Sequence, residues 1–186
     1  MVTPWRPCCR VTATSAVETV EELSAEWLTS AMLEAGLLSP GQRVASLTAA
    51  RFGVGVAMLS DLGRLSVTYS PPAETGALPT SLVVKTAATS GTKEITCAYG
   101  GYEQEIRFYT EIAPRLAAAC ATQFELGPCL LCAGGDRSVH PNQTLELPAG
   151  KQLYTLVFDD LATRPQWSSG DQIAGCTPAQ VWLRVG

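Results

Sequence analysis

Ser81-Leu82-Val83-Val84-Lys85-Thr86 decides the reading of this chain. Three β-forming residues followed by a lysine make a short, buried strand, and an ammonium group there loses hydration and must be compensated by an anion. The best candidate lies in Tyr102-Glu103-Gln104-Glu105-Ile106-Arg107-Phe108-Tyr109-Thr110-Glu111-Ile112-Ala113-Pro114-Arg115-Leu116. Laid out at about 100° per residue, Glu103, Arg107, Glu111 and Arg115 follow one another at i,i+4 as one charged, solvated stripe. Glu105 falls on the opposite side, at helical spacing with Phe108, Tyr109, Ile112 and Leu116, so its carboxylate is expected to point into the packed face and to need a cation.

A strand lysine, a helix glutamate and a glycine-containing turn are the parts with which kinase-type phosphotransferases grip phosphates. Here the turn is Phe52-Gly53-Val54-Gly55-Val56, one strand before the lysine strand. A structural salt bridge, or a lysine snorkelling from a strand end to water, has the same residue pattern, and the pair alone leaves these alternatives open. A lone Gly-x-Gly equally marks a plain turn. Its position gives it weight, because a phosphate held by the turn would also be within reach of Lys85.

The bulk properties exclude several classes. At 186 residues the chain suits one domain or one lobe of a larger one, and 46% hydrophobic with 16% charged residues fits a globular protein. A net charge of -4 with scattered Lys and Arg gives no basic face for nucleic acid or an anionic membrane. No apolar run approaches the roughly 18 residues of a spanning helix. Residues Met1 to Val17 carry Arg6 and Arg10 and no acid, and read as a disordered leader with some of the composition of an organelle transit segment. Seven cysteines, an odd number, several beside apolar neighbours, suit reduced cytoplasmic thiols better than a disulfide framework.

Along the chain, Thr19 to Glu22 and Ser24 offer caps to a helix with Leu23, Trp27, Leu28, Ala31 and Ala35 at helical spacing, ended by Gly36. Val44 to Phe52 and Arg64 to Tyr69 read as a hairpin whose connection, Gly53 to Gly63, holds three glycines. Thr86 to Gly101 reads as a mobile connection, and Pro114 should kink or interrupt the helix that carries Glu105. Phe124 to Ala133 and Leu153 to Phe158 are expected as the fourth and fifth strands. Cys129 and Cys132, within a strand, are placed on opposite faces, and no second Cys or His pair closes a zinc site around them. His140 reads as a surface residue in a polar loop. Asp159-Asp160-Leu161 closes the fifth strand.

Taken in order, Gly53-Val54-Gly55, Leu59-Ser60-Asp61-Leu62-Gly63-Arg64-Leu65, Leu82-Val83-Val84-Lys85, Tyr102 to Tyr109, Leu156-Val157-Phe158-Asp159-Asp160-Leu161 and Gly170-Asp171-Gln172-Ile173-Ala174-Gly175-Cys176 resemble the amino-terminal half of the aminoglycoside phosphotransferase-like kinases. The ecdysteroid-kinase-like, or choline-kinase-like, branch is the most similar, and the likeness covers nearly everything after Val17. It implies an α+β fold: a protein-kinase-like small lobe over residues 18–161, with a five-stranded antiparallel sheet, the Glu105 helix packed on it and an N-terminal helix before it. Residues 162–186 would then leave the hinge and begin a second lobe.

The resemblance further implies that Lys85 holds the α- and β-phosphates of ATP, that Glu105 orients Lys85, and that the turn with Gly53 and Gly55 covers the phosphates. Backbone groups of Asp159, Asp160 and Leu161 would contact the adenine. The family transfers the γ-phosphate to a hydroxyl of a small molecule, with magnesium. Its catalytic loop, His-Gly-Asp with a nearby asparagine, and its metal-binding aspartate belong to the second lobe and have no counterpart here, so no catalytic residue and no metal ligand is assigned. The expectation is therefore the nucleotide-binding lobe of an ATP-dependent small-molecule kinase, truncated and inactive by itself. Its exposed inter-lobe surface, with Trp182 and Leu183, would favour self-association. The alternative is a non-catalytic nucleotide-binding or protein-interaction module.

Overall fold

The computed structural model describes residues 9–53, 59–73, 78–89, 91–119, 129–134 and 153–163. Six strands form one sheet: β1 (Arg10–Val11), β2 (Arg43–Phe52), β3 (Ser60–Ser70), β4 (Ser81–Ala87), β5 (Cys129–Gly134) and β6 (Tyr154–Asp159). Their spatial order is β1-β5-β6-β4-β3-β2. The α+β class is as expected, and β2 to β6 are the five antiparallel strands read from the sequence. The sheet itself is mixed, because β1 adds a sixth strand parallel to β5. Both β1 residues are exposed, so they leave no apolar signature; they are held by main-chain pairing that periodicity does not reveal. The rest of the described leader also docks on the protein. The Val17 N–H donates to Thr155 Oγ1 at 3.1 Å, and the N–H groups of Ala13 and Thr14 donate to the Glu34 carboxylate.

Strand β4 lies inside the sheet, between β3 and β6, and its alternation assigns each face. Leu82 and Val84 are fully buried against Leu65, Val67 and the apolar side of helix α1 (Ala25–Glu34), where Leu28, Ala31 and Met32 sit. Ser24 caps that helix, as expected, accepting from the Trp27 N–H at 3.1 Å. On the opposite face Ala87, Leu156 and Tyr154 pack under Tyr102 and Ile106 of helix α3 (Gly101–Arg107). Lys85 follows Val84 and so turns toward α3, sharing a cross-strand row with Leu62 on β3 and Leu156 on β6.

Several local expectations are corrected. Gly63 belongs to β3, not to the hairpin connection, and its missing side chain makes room for Val20, whose Cγ1 a Cβ at this position would overlap. The stretch after β4 contains helix α2 (Thr92–Ala98), whose N-cap, Gly91, gives no side-chain hydrogen bond to announce it. Beyond α3 the chain winds in a wider π register over Phe108–Ile112 before α4 (Ala113–Ala119). Pro114 has no N–H to donate backward, and the wider turn just before it carries the helical run past that gap without a break.

In β5 a bulge between Cys129 and Leu131 shifts the alternation, so both thiols join the core under α3 instead of facing opposite ways. Neither forms a disulfide, and the Cys129 thiol donates to Cys9 Sγ at 2.8 Å. Among the described residues no helix is long and apolar enough to cross a membrane. His140, Gly55 and the residues after Thr163 lie outside the described residues.

Candidate functional site

Lys85 and Glu105 meet as the sequence requires. The Lys85 ammonium donates to Glu105 Oε1 at 2.6 Å and to Oε2 at 2.8 Å, with each side chain about a quarter exposed. Both distances fall in or just below the range of charge-assisted bonds. An ammonium has three donors, so a pair anchored in this way keeps donor capacity for a further anion arriving from the open side. The Tyr154 hydroxyl also reaches Glu105 Oε2, at 3.3 Å.

The surroundings of Glu105 differ from the helical-wheel reading in two respects. Glu103, expected on the solvated stripe, is buried, 4% exposed. Helix α2 packs over that turn and brings Cys97 beside Glu103; burial first, and the Glu103 carboxylate second, push the Cys97 thiol up. Ile112, expected beside Glu105 in the packed face, is 48% exposed. The π register changes the angular spacing, so positions counted at about 100° per residue from Glu105 no longer share its face. Of the stripe, the partly exposed Arg107 and the exposed Glu111 remain as an i,i+4 pair at 3.6 Å.

Tyr109 stays partly buried, edge-on to Phe158, and burial followed by the Glu105 charge pushes its hydroxyl up to about 12. Glu105, Arg107, Phe108, Tyr109 and Ile112 line a groove of about 620 Å³ along this side of the helix. The sequence signal for its openness is only the proline at 114, which forces the change of register.

Gly53 ends β2 with a φ of +68°, a conformation only glycine adopts freely. Its neighbour Phe52 pairs with Leu62, and Leu62 pairs with Lys85, so the turn begins one residue beyond the row of the lysine and two strands away, about 10 Å at the usual strand spacing. The turn and the Lys85–Glu105 pair thus lie toward the same end of the sheet.

Asp159, Asp160 and Leu161 lie in the other direction along β6. Asp159 pairs with Leu82, three residues from Lys85 on β4, a distance of about 10 Å. The expected role of Asp160 was main-chain, but its side chain turns out to be a structural bracket. Its buried carboxylate accepts from Arg64 Nε at 2.8 Å, Ser81 Oγ at 2.7 Å and the Ala162 N–H at 3.1 Å. Burial alone would raise its pKa, but these hydrogen bonds outweigh it and hold the carboxyl below its ordinary value. The Asp160 N–H donates to Ser81 O, and its carbonyl accepts from Thr163. Leu161 opens a 3₁₀ turn over Leu161–Thr163.

Among the described residues no group of three or more His, Cys, Asp or Glu side chains is arranged to hold a metal ion. The family model for the ecdysteroid kinase-like family matches residues 55–179, a span that includes Lys85, Glu105 and the segment from Asp159 to Leu161. No curated protein and no solved structure matches the chain.

Proposed function

Since the chain belongs to the ecdysteroid kinase-like family, we propose that it grips ATP for transfer of a phosphoryl group to a small-molecule hydroxyl, with Lys85 as the phosphate ligand and Glu105 as its orienting partner. The observation that carries this reading is the two-pronged Lys85–Glu105 ion pair, partly buried toward the end of the sheet at which Gly53 leaves β2. A purely structural bridge is best sealed from water. This one is a quarter exposed on each partner, which leaves the ammonium accessible to an anion from solvent.

In this reading each group acts through charge and position. The Lys85 ammonium neutralises oxygens of the α- and β-phosphates. Glu105 takes up two of its donors and so fixes the direction of the third. The turn with Gly53 and Gly55 covers the phosphates, the two glycines adding no side chain of their own there. Adenine recognition falls to main-chain groups of the segment Asp159, Asp160 and Leu161, in which Asp160 also holds Ser81 and Thr163. The span of about 10 Å from the lysine to this segment is commensurate with a ribose and its phosphate chain. ATP supplies the transferable phosphoryl group, and magnesium, where bound, supplies charge neutralisation between the phosphates. Phosphoryl transfer further needs a group to receive the acceptor's proton, and none is assigned among the described residues.

The test is a thermal-shift titration of the full chain with Mg-ATP, repeated on Lys85→Ala. A saturable rise in melting temperature for the parent, reduced at least tenfold in apparent affinity by the substitution, is the expected result. No rise in the parent, or equal rises in both proteins, would overturn the assignment.

A further inference from the structure

Two buried tyrosines behind the ion pair have no part in the reading so far. Tyr102 and Tyr154 are 2% and 1% exposed, and their rings stack at 4.3 Å with 22° between planes. A phenol in such a place keeps its hydroxyl hydrogen-bonded. Tyr154 Oη donates to Glu105 Oε2 at 3.3 Å and is itself hydrogen-bonded to the Ser60 hydroxyl. Tyr102 Oη accepts the Ala88 N–H at 3.1 Å and donates to the Leu59 carbonyl at 3.0 Å. Leu59 and Ser60 stand where β3 begins, just after the glycine turn.

We propose that Tyr154 is a positioning residue for the phosphate grip: with Tyr102 stacked on it, it fixes the plane of the Glu105 carboxylate toward Lys85 and ties helix α3 to the turn-side end of β3. The proposal rests on the reading of Lys85 as a phosphate ligand and deepens it. A lysine and a glutamate are both long and rotamer-rich, and holding them in one geometry at a site a quarter exposed on each partner costs conformational entropy. A donor on a rigid, buried ring reduces that loss, because the ring has only two torsions and both are set by packing.

Tyr102 lies one helical turn before Glu105, so the stack that sets the Tyr154 ring also sets the helix carrying the carboxylate. Burial, followed by the charge of Glu105, raises the Tyr154 hydroxyl above its ordinary pKa, so it remains a neutral donor through the neutral range.

Tyr154→Phe removes the hydroxyl and keeps the ring stack. In the full chain it is expected to weaken Mg-ATP binding about fivefold, the size of one ordinary hydrogen bond, because 3.3 Å is long for a phenol on a carboxylate. In a Glu105→Ala background the same substitution should change affinity by less than about 1.5-fold. An equal loss in both backgrounds means that the tyrosine serves only the fold, and no loss in the parent means that it positions nothing; either overturns the proposal.

A second cycle needs no nucleotide. Amide hydrogen exchange over residues 101–107 should speed up several-fold in Tyr154→Phe, but not when Glu105 is already Ala. If the parent binds no Mg-ATP, the reading of Lys85 fails and the exchange cycle alone decides on Tyr154. Equal acceleration in both backgrounds, or none, then overturns it.

Discussion

Removing the Asp160 carboxylate should uncouple the end of β6 from the rest of the sheet at a measurable cost. In Asp160→Ala, Ser81 Oγ, Arg64 Nε and the Ala162 N–H all lose their acceptor. Hydrogen bonds to a charged group contribute about 1.5–3 kcal/mol each before the freed donors find water. Arg64 is 45% exposed and can turn to solvent, so its share is small. Ala162 is exposed as well, so its N–H also finds water, and the half-buried Ser81 sets the scale, giving a net loss of about 1.5–3 kcal/mol.

For a chain of this size that is a fall of roughly 3–12 °C in melting temperature. The sign of its pH dependence is also fixed. Asp160 has a lowered pKa in the folded state, so its stabilisation is complete above the ordinary carboxyl value of 3.8 and disappears as the pH falls through the lowered folded value. Urea unfolding of parent and variant followed by circular dichroism, at pH 7 and then stepwise down to the acid limit, measures this difference directly. Other carboxylates titrate in the same range, and comparing the two proteins at each pH cancels them. A gap below about 0.5 kcal/mol at pH 7, or one that persists undiminished below the folded pKa, would refute the bracket.

Two further outcomes follow from the core. The Thr86 hydroxyl is buried without a hydrogen-bond partner among the described residues, so Thr86→Val, of the same shape, should raise stability by about 1 kcal/mol in chemical denaturation; destabilisation would show that the hydroxyl is satisfied. Gly63→Ala places a Cβ against the stiff, branched side chains of Val20 and Val84 and should cost about 1–3 kcal/mol, much of it recovered in Gly63→Ala with Val20→Ala; a neutral single substitution would contradict the close packing of Val20 on β3.

How much of this was legible in the sequence depends on how local each cause is. The Lys85–Glu105 pairing was readable because two short-range patterns, an apolar strand and a helical wheel, each left one charge on a packed face. The Ser24 cap and the β2–β3 hairpin were readable for the same reason. What escaped depends on partners distant in sequence. Strand β1 has no apolar pattern of its own and is defined by β5. Helix α2 is uncapped by any side chain, and Glu103 is buried because that helix covers it. The π register moved Ile112 out of the face that a regular helix would give it. The bulge in β5 reversed the placement of one of two thiols. At the site, Tyr154 could not be told from any other strand tyrosine until the fold brought it under Glu105.

The central claim is that the Lys85 ammonium touches a phosphate of a bound nucleotide while Glu105 holds it from behind. A crystal structure of the chain with a non-hydrolysable Mg-ATP analogue measures this directly. The account predicts an α- or β-phosphate oxygen about 2.7–3.2 Å from Lys85 Nζ, with the contacts to Glu105 retained. A nucleotide bound elsewhere, or a phosphate in the groove that leaves Nζ bonded to Glu105 alone, would contradict it.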